Sequence, residues 1–512
     1  MHHTALTTSL LLMAACGPVK LDDSASDDGA TSPDTATGDD TGPATSDDTD
    51  DTDAPDTDDT TGEDTQAVDD TASADDTGDT SGADTGPPTS PVSALSWSVH
   101  DEVNTLIEVR FTLDEAAEAW VAFSFDGKNW EESPARTLEA GEHDEVLFGI
   151  PADMDLDWEV RTLVAGAETA SEPQEARTES LPSNLPLPVL LDWNPAESGS
   201  EGWLYTSVEA GNNNFFGPYY ALILDREGRV VWYHSPEDDR LAMFPRIAPD
   251  GSHVLIDQTS IYAGGTTPEL LRTTLDGAQT ELIHPAHWNL TYDYLPDGTM
   301  LYDDSTDGTR YHLTALRPDG TEEQLWSCYD WMSEIKTVRS WDCQPNTILW
   351  NEDTNTVLWS MFQTSTVVEV DLDSGEVIRQ FGQLDGSWTM DPFNAMLELQ
   401  HFPNYSADGT LMVSTHIVGQ RGRQVAREFA VNDKTETLEE IWSFENDLGY
   451  YAEYAGEAKR LDSGNTLVGL GTDGAILEVT PDGDVAWGIE FAGRLVGQAT
   501  LVDDLYALNE GW

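Results

Sequence analysis

Two rhythms of apolar and polar positions run along the chain. Between residues 92 and 180 the two alternate every second residue, as in Leu95, Trp97, Val99, then Ile107, Val109, Phe111, then Ala119, Val121, Phe123, and later Trp158 and Val160. Period two over short runs predicts strands with one buried face. Several such runs within fewer than 100 residues predict a small β-sandwich. Residues 181–188, rich in proline, then form a joint.

From Gly202 onward two kinds of hairpin alternate. The first reads apolar strand, tight turn, strand ending in Trp or Phe; it turns at Gly228, Gly277, Gly320, Gly375, around Lys434, and at Gly483. The second turns at Gly251, Gly298, Gly409 and Gly464. Asp-Gly pairs supply the left-handed backbone positions that tight hairpins need. The combined period is 45–60 residues, with four strands in each, which is the sequence form of a propeller blade. Six units over residues 195–512 predict an all-β, six-bladed β-propeller, closed by residues 500–508 pairing back near Leu204. Only residues 390–399 hint at a helix.

Charge narrows the function classes. The formal net charge is −74, from 23 basic and 97 acidic residues, which excludes nucleic-acid phosphates and anionic lipid head groups as partners. Residues 21–88 hold 23 of the acidic residues and no Lys or Arg. With almost no large apolar residue, residues 17–91 are expected to be a disordered acidic linker. Their Asp runs lack the glycine and closing glutamate of a calcium loop and read as solvated tether. Most of the charge remains on the folded part, which suits a saline exterior where screening relieves self-repulsion.

The amino-terminal residues 5–15 are apolar but too short to span a bilayer. The small residues before Cys16 resemble a bacterial lipobox, so residues 1–16 are expected to be a lipoprotein signal peptide with Cys16 lipidated. That implies a cell-envelope protein, touching membrane only through its amino-terminal lipid, with the leaflet open. Cys328 and Cys343 remain, an even pair in an oxidising compartment. A disulfide between them would contribute roughly 3 kcal/mol in the chain-entropy model; free thiols, or Cys343 as a ligand, are the alternatives. No CxxC or His-Cys cluster points to a metal.

In a propeller, the connections leading into the innermost strands converge on the central channel. Reading back from the second hairpin type places Met243, Phe244, residues 288–290, 343–346, Gln400, His401 and residues 454–456 there. Here a family resemblance enters. Gln400-His401, then Gly409-Thr410-Leu411, Thr415-His416, Arg421-Gly422-Arg423 and residues 426–429, together with residues 456–467 and 342–371, resemble bacterial arylsulfotransferases over roughly residues 200–510. The resemblance implies a six-bladed propeller preceded by a β-sandwich, here fibronectin type III-like, and transfer of a sulfuryl group from an aryl sulfate to a phenolic acceptor through a histidine, without a cofactor. It assigns catalytic roles to His401 and Arg421, with Arg423 as the alternative arginine, and places His287, Asn346, His416 and Tyr454 around a small anionic or aryl substrate. The chemistry suits these types: neutral imidazole is a nucleophile near pH 7, and a guanidinium holds its charge against developing oxyanions. No histidine follows His416, so the position of the family's sulfurylated histidine, near residues 450–459, has none. A propeller that only binds a ligand or a surface partner therefore stands beside the enzyme. A quinone-dependent dehydrogenase propeller is disfavoured, since no adjacent cysteine pair or recurrent Trp-docking motif is present. The oligomeric state is not legible.

Overall fold

The computed structural model describes residues 90–211, 217–235, 240–259, 267–305, 310–445 and 448–512. The expected signal peptide, Cys16 and residues 17–89 of the expected linker lie outside the described residues.

The first folded region is a β-sandwich. One sheet joins Val92–Val99, Ile107–Leu113 and Gly141–Leu147; the other is built on Ala117–Ser124 and Asp155–Val164 with short flanking strands. Alternation does what period two requires: Val109, Phe111, Val121, Phe123, Trp158 and Val160 meet between the sheets. The sandwich is pinned to the propeller. The Thr105 hydroxyl donates to the Val231 carbonyl at 2.7 Å and the Asn104 N–H donates to the Tyr233 hydroxyl at 3.1 Å.

Six sheets follow, each built on four antiparallel strands, with a fifth strand added at the outer edge of two of them. Blades 2 to 6 each take four consecutive strands, with Arg246–Ile247, Trp288–Tyr294, Pro345–Asn351, His401–Tyr405 and Gly456–Arg460 innermost. Blade 1 is completed by the chain's last strand: Thr500–Val502 pairs with Trp203–Glu209, putting Leu501 opposite Leu204. The turn glycines act as the spacing requires; Gly483, for example, has φ 92° and closes its turn by an N–H bond to the Thr480 carbonyl at 3.0 Å.

Three buried glutamates on third strands stitch the blades. Glu369, Glu428 and Glu478 each accept a hydrogen bond from the start of the preceding second strand: Thr356 at 2.7 Å, Thr410 at 2.6 Å and Asn465 at 2.6 Å. Each also pairs with an arginine, Arg379, Arg460 and Arg226 respectively. The Arg226–Glu478 pair joins blade 6 to blade 1 with both side chains buried.

Three details differ from the sequence expectation. The strand Val189–Trp193 pairs with Val485–Glu490, so the propeller takes up chain before residue 195. Residues 390–399 hold only a short 3-10 turn, Phe393–Ala395, because Thr389–Asp391 is drawn as a parallel strand onto the edge of blade 5 and Pro392 interrupts the run. An α-helix, Cys328–Ile335, instead bridges blades 3 and 4, capped by the Ser327 side chain and burying Cys328 and Met332. Eight residues were too few to show a helical period. Cys328 is disulfide-bonded to Cys343 across 15 residues, tying that helix to the connection into blade 4.

Candidate functional site

His401 is the first residue of the innermost strand of blade 5 and pairs with Ser414, at the end of the blade away from the Gly409 turn. The turn after the second strand lies at that same end, so Phe362 of blade 4 and residues 418–423 of blade 5 belong to one channel mouth. The backbone here is held in place rather than relaxed. Leu399 (φ 50°) and Phe402 (φ 48°), on either side of His401, occupy the left-handed region that non-glycine residues avoid. Bonds from Leu399 N–H to Ser365 Oγ and from Phe402 N–H to Thr347 Oγ1, both 3.0 Å, keep them there.

The His401 Nδ1–H donates to the Leu399 carbonyl at 3.1 Å, which leaves the lone pair on Nε2. Burial, with His416 nearby, pushes the His401 pKa down to about 3, so the ring is neutral throughout the physiological range. The Phe362 ring stands edge-on to it with centroids 5.3 Å apart, and Tyr454 lies 5.7 Å beyond Phe362. Arg421 completes the row. Its guanidinium sits 5.3 Å from the Tyr454 ring centroid, donates to the Tyr454 hydroxyl, and lies 3.6 Å from Glu453. Nearly half of its side chain, 44%, stays exposed.

His416 stands behind this row, fully buried. Its Nε2–H donates to the Ala452 carbonyl at 3.1 Å, its Nδ1 has no hydrogen-bond partner, and burial pulls its pKa to about 4. The Asn346 amide donates to the Gln400 carbonyl at 2.7 Å, while its own carbonyl oxygen is buried without a partner. The structure therefore brings together His401, Arg421, Tyr454, His416 and Asn346. Arg423 points elsewhere, 4.0 Å from Glu445 on the outer strand. His287 is exposed in the connection between blades 2 and 3, where its carbonyl accepts from Ser305 N–H at 3.0 Å; its neighbours are in blade 3 and it takes no part in the row. Phe362 and Glu453 do not announce themselves in the sequence. Phe362 sits on the turn after a second strand, a place the connections into innermost strands do not reach, and Glu453 lies just before residues 454–456 in the connection into blade 6.

Among the described residues no three His, Cys, Asp or Glu side chains converge as metal ligands, and no helix is long and apolar enough to cross a membrane. A cleft of about 640 Å³ on the sandwich is lined by Trp97 and Arg177. Arg177 there is already paired with Asp155 at 2.6 Å.

No protein-family model matches the chain, and no curated protein does. Among solved structures it is similar to the periplasmic gluconolactonase of Pseudomonas aeruginosa, with 13% identity over 76% of this chain and 100% of that one and a TM-score of 0.36. It is also similar to virginiamycin B lyase from Staphylococcus aureus, with 13% identity over 61% of this chain and 99% of that one and a TM-score of 0.35. Likeness at this level carries no argument about chemistry.

Proposed function

We propose that the channel mouth binds an aryl sulfate and passes its sulfuryl group to a phenolic acceptor through His401, in a protein held at the cell envelope by lipid on Cys16. One observation carries the reading: a neutral imidazole with its Nδ1 committed and its Nε2 bare stands in a row with two aromatic rings and a guanidinium. Phe362 and Tyr454 offer faces to an aryl ring. Arg421 offers fixed charge to sulfate oxygens.

In the first half-reaction the Nε2 lone pair attacks sulfur, the bond from sulfur to the aryl oxygen breaks, and the phenolate leaves and takes a proton from water. In the second, the acceptor oxygen attacks sulfur, the N–S bond breaks, the acceptor's proton passes to solvent, and His401 returns to its neutral form. A binding-only module is the second reading. The observation favouring it is that Arg421 is already engaged by Tyr454 and Glu453.

The test is acceptor-dependent release of phenolate from an aryl sulfate by the intact protein. The enzyme reading expects turnover that falls by at least about a hundredfold in His401→Ala, with acid-labile sulfate trapped on the His401 peptide in wild type. Saturable aryl sulfate binding without turnover in wild type overturns transfer and leaves binding.

A further inference from the structure

The opposite end of the channel holds two cations that the mouth does not use. Arg246 of blade 2 and Lys459 of blade 6 share one register on their innermost strands. Arg246 faces Leu255 and Lys459 faces Leu467, each one step from the turn. Asp293 holds that register in blade 3, facing Leu301.

Arg246 is largely buried and lies 3.4 Å from Asp293. It donates to the Tyr292 carbonyl at 2.9 Å and the Ile348 carbonyl at 3.4 Å, so it reaches past blade 3 to blade 4. Its Nε–H is buried with no hydrogen-bond partner. Lys459 is less provided for. Among the described residues no carboxylate comes within ion-pair reach of its ammonium, whereas Lys336 has Asp342 at 2.9 Å. The side chain is surrounded by protein yet keeps partial exposure, and on an innermost strand that exposure is to the channel. Burial above all, with the Arg246 charge, pulls its pKa below the usual lysine value against the opposing charges of Glu457, Asp462 and Asp293.

Three carboxylates lie near Lys459, none of them paired with it. Asp293 accepts from Trp350 N–H at 2.7 Å besides facing Arg246. Glu457 is buried, with one oxygen accepting from Ala499 N–H at 2.7 Å and the other without a partner. Asp462 is exposed in the turn that follows. An ammonium left in a low-dielectric channel beside a guanidinium with a spare donor is unfavourable by itself. A small tetrahedral anion has acceptors for the three ammonium protons and the Arg246 Nε–H at once.

We propose that the channel floor binds a small inorganic oxyanion, of the sulfate class, between Lys459 and Arg246. This site is separate from the His401 row and does not depend on any transfer chemistry. Thermal unfolding of the full chain in sulfate, against chloride at matched ionic strength, tests it, with equilibrium dialysis of labelled sulfate to count ions bound. Wild type is expected to gain stability specifically from sulfate. Lys459→Met is expected to bind sulfate at least about tenfold more weakly, as loss of a charge-assisted hydrogen bond implies, while His401→Ala keeps the effect. Lys459→Gln serves if the Met variant does not fold. An equal sulfate effect in the Lys459 variants, its loss in His401→Ala alone, or no bound sulfate in wild type overturns the proposal.

Discussion

Arg226 and Arg421 are assembled from the same parts and placed in opposite surroundings. Arg226 lies 4.1 Å over the Trp487 ring, pairs with Glu478, and is 4% exposed. Arg421 lies over Tyr454, has Glu453 near it, and sits at the solvent-facing rim. In the first setting water cannot replace a lost partner, so the pair fixes the seam between blades 6 and 1. In the second, water competes for each bond, so the protein's hold is weak and a ligand oxygen can take its place. The same contrast separates His401, whose Nε2 takes no hydrogen bond among the described residues, from the bonded carboxylates of Glu369, Glu428 and Glu478.

Breaking the buried member should have the largest effect. Arg226→Met leaves Glu478 inside the seam without its cation and is expected to destabilise the protein by about 3–5 kcal/mol, read as a lower midpoint in chemical denaturation. Next comes the covalent tie between blades 3 and 4. Replacing Cys328 and Cys343 by Ser should cost about 3 kcal/mol, visible in the same experiment and reproduced by reductant in wild type. Arg421→Met at the rim should change stability by only about 0–1 kcal/mol while weakening aryl sulfate binding; a loss of stability equal to that of Arg226→Met would erase the distinction drawn above.

The smallest effect is in acid. His401 and His416 have folded pKa values lowered to about 3 and about 4, below the free histidine value of about 6.5. Their contribution to stability is full above pH 6.5 and is lost as pH falls toward the folded values. Asp257 and Asp303, raised to about 7 by burial, work the other way: their contribution is full below about pH 4 and is lost as pH rises toward 7. His234 and His253, lowered to about 4, add to the histidine side, and Glu457, raised to about 7, adds to the carboxyl side, so the slopes largely oppose one another between about pH 4 and 6.5 and leave a residual rise in stability with pH. Any turnover should keep its acid limb below pH 5, since His401 stays neutral there; a limb near 6.5 would show an exposed histidine at work instead.

Much of this architecture can be read from the chain because turn chemistry is local. The Asp-Gly hairpins at Gly298 and Gly409 announce themselves without any knowledge of the ring. Blade 4 does not: its corresponding turn, between Asn351 and Thr356, has no glycine and uses Asn355 at φ 52°. The helix Cys328–Ile335 was hidden by its length and by the disulfide that holds it. At the candidate site, His401 was legible from its place before an innermost strand. Its wall, Phe362, comes from the neighbouring blade, and the split between Arg421 and Arg423 depends on how a hairpin tip projects. Neither is encoded in spacing along the chain.

The use of Thr500–Val502 as the innermost strand of the first blade sets an order of events. Trp203–Glu209 lacks its inner neighbour until residues 500–502 have emerged, so a nascent chain, or one truncated before them, is an arc with an exposed inner edge. Arg246 and Lys459, on strands two blades apart around the ring, cannot face a common channel before that arc shuts. Assembly of the channel therefore waits for Thr500–Val502, and a truncation that removes this strand should abolish it as surely as losing a blade.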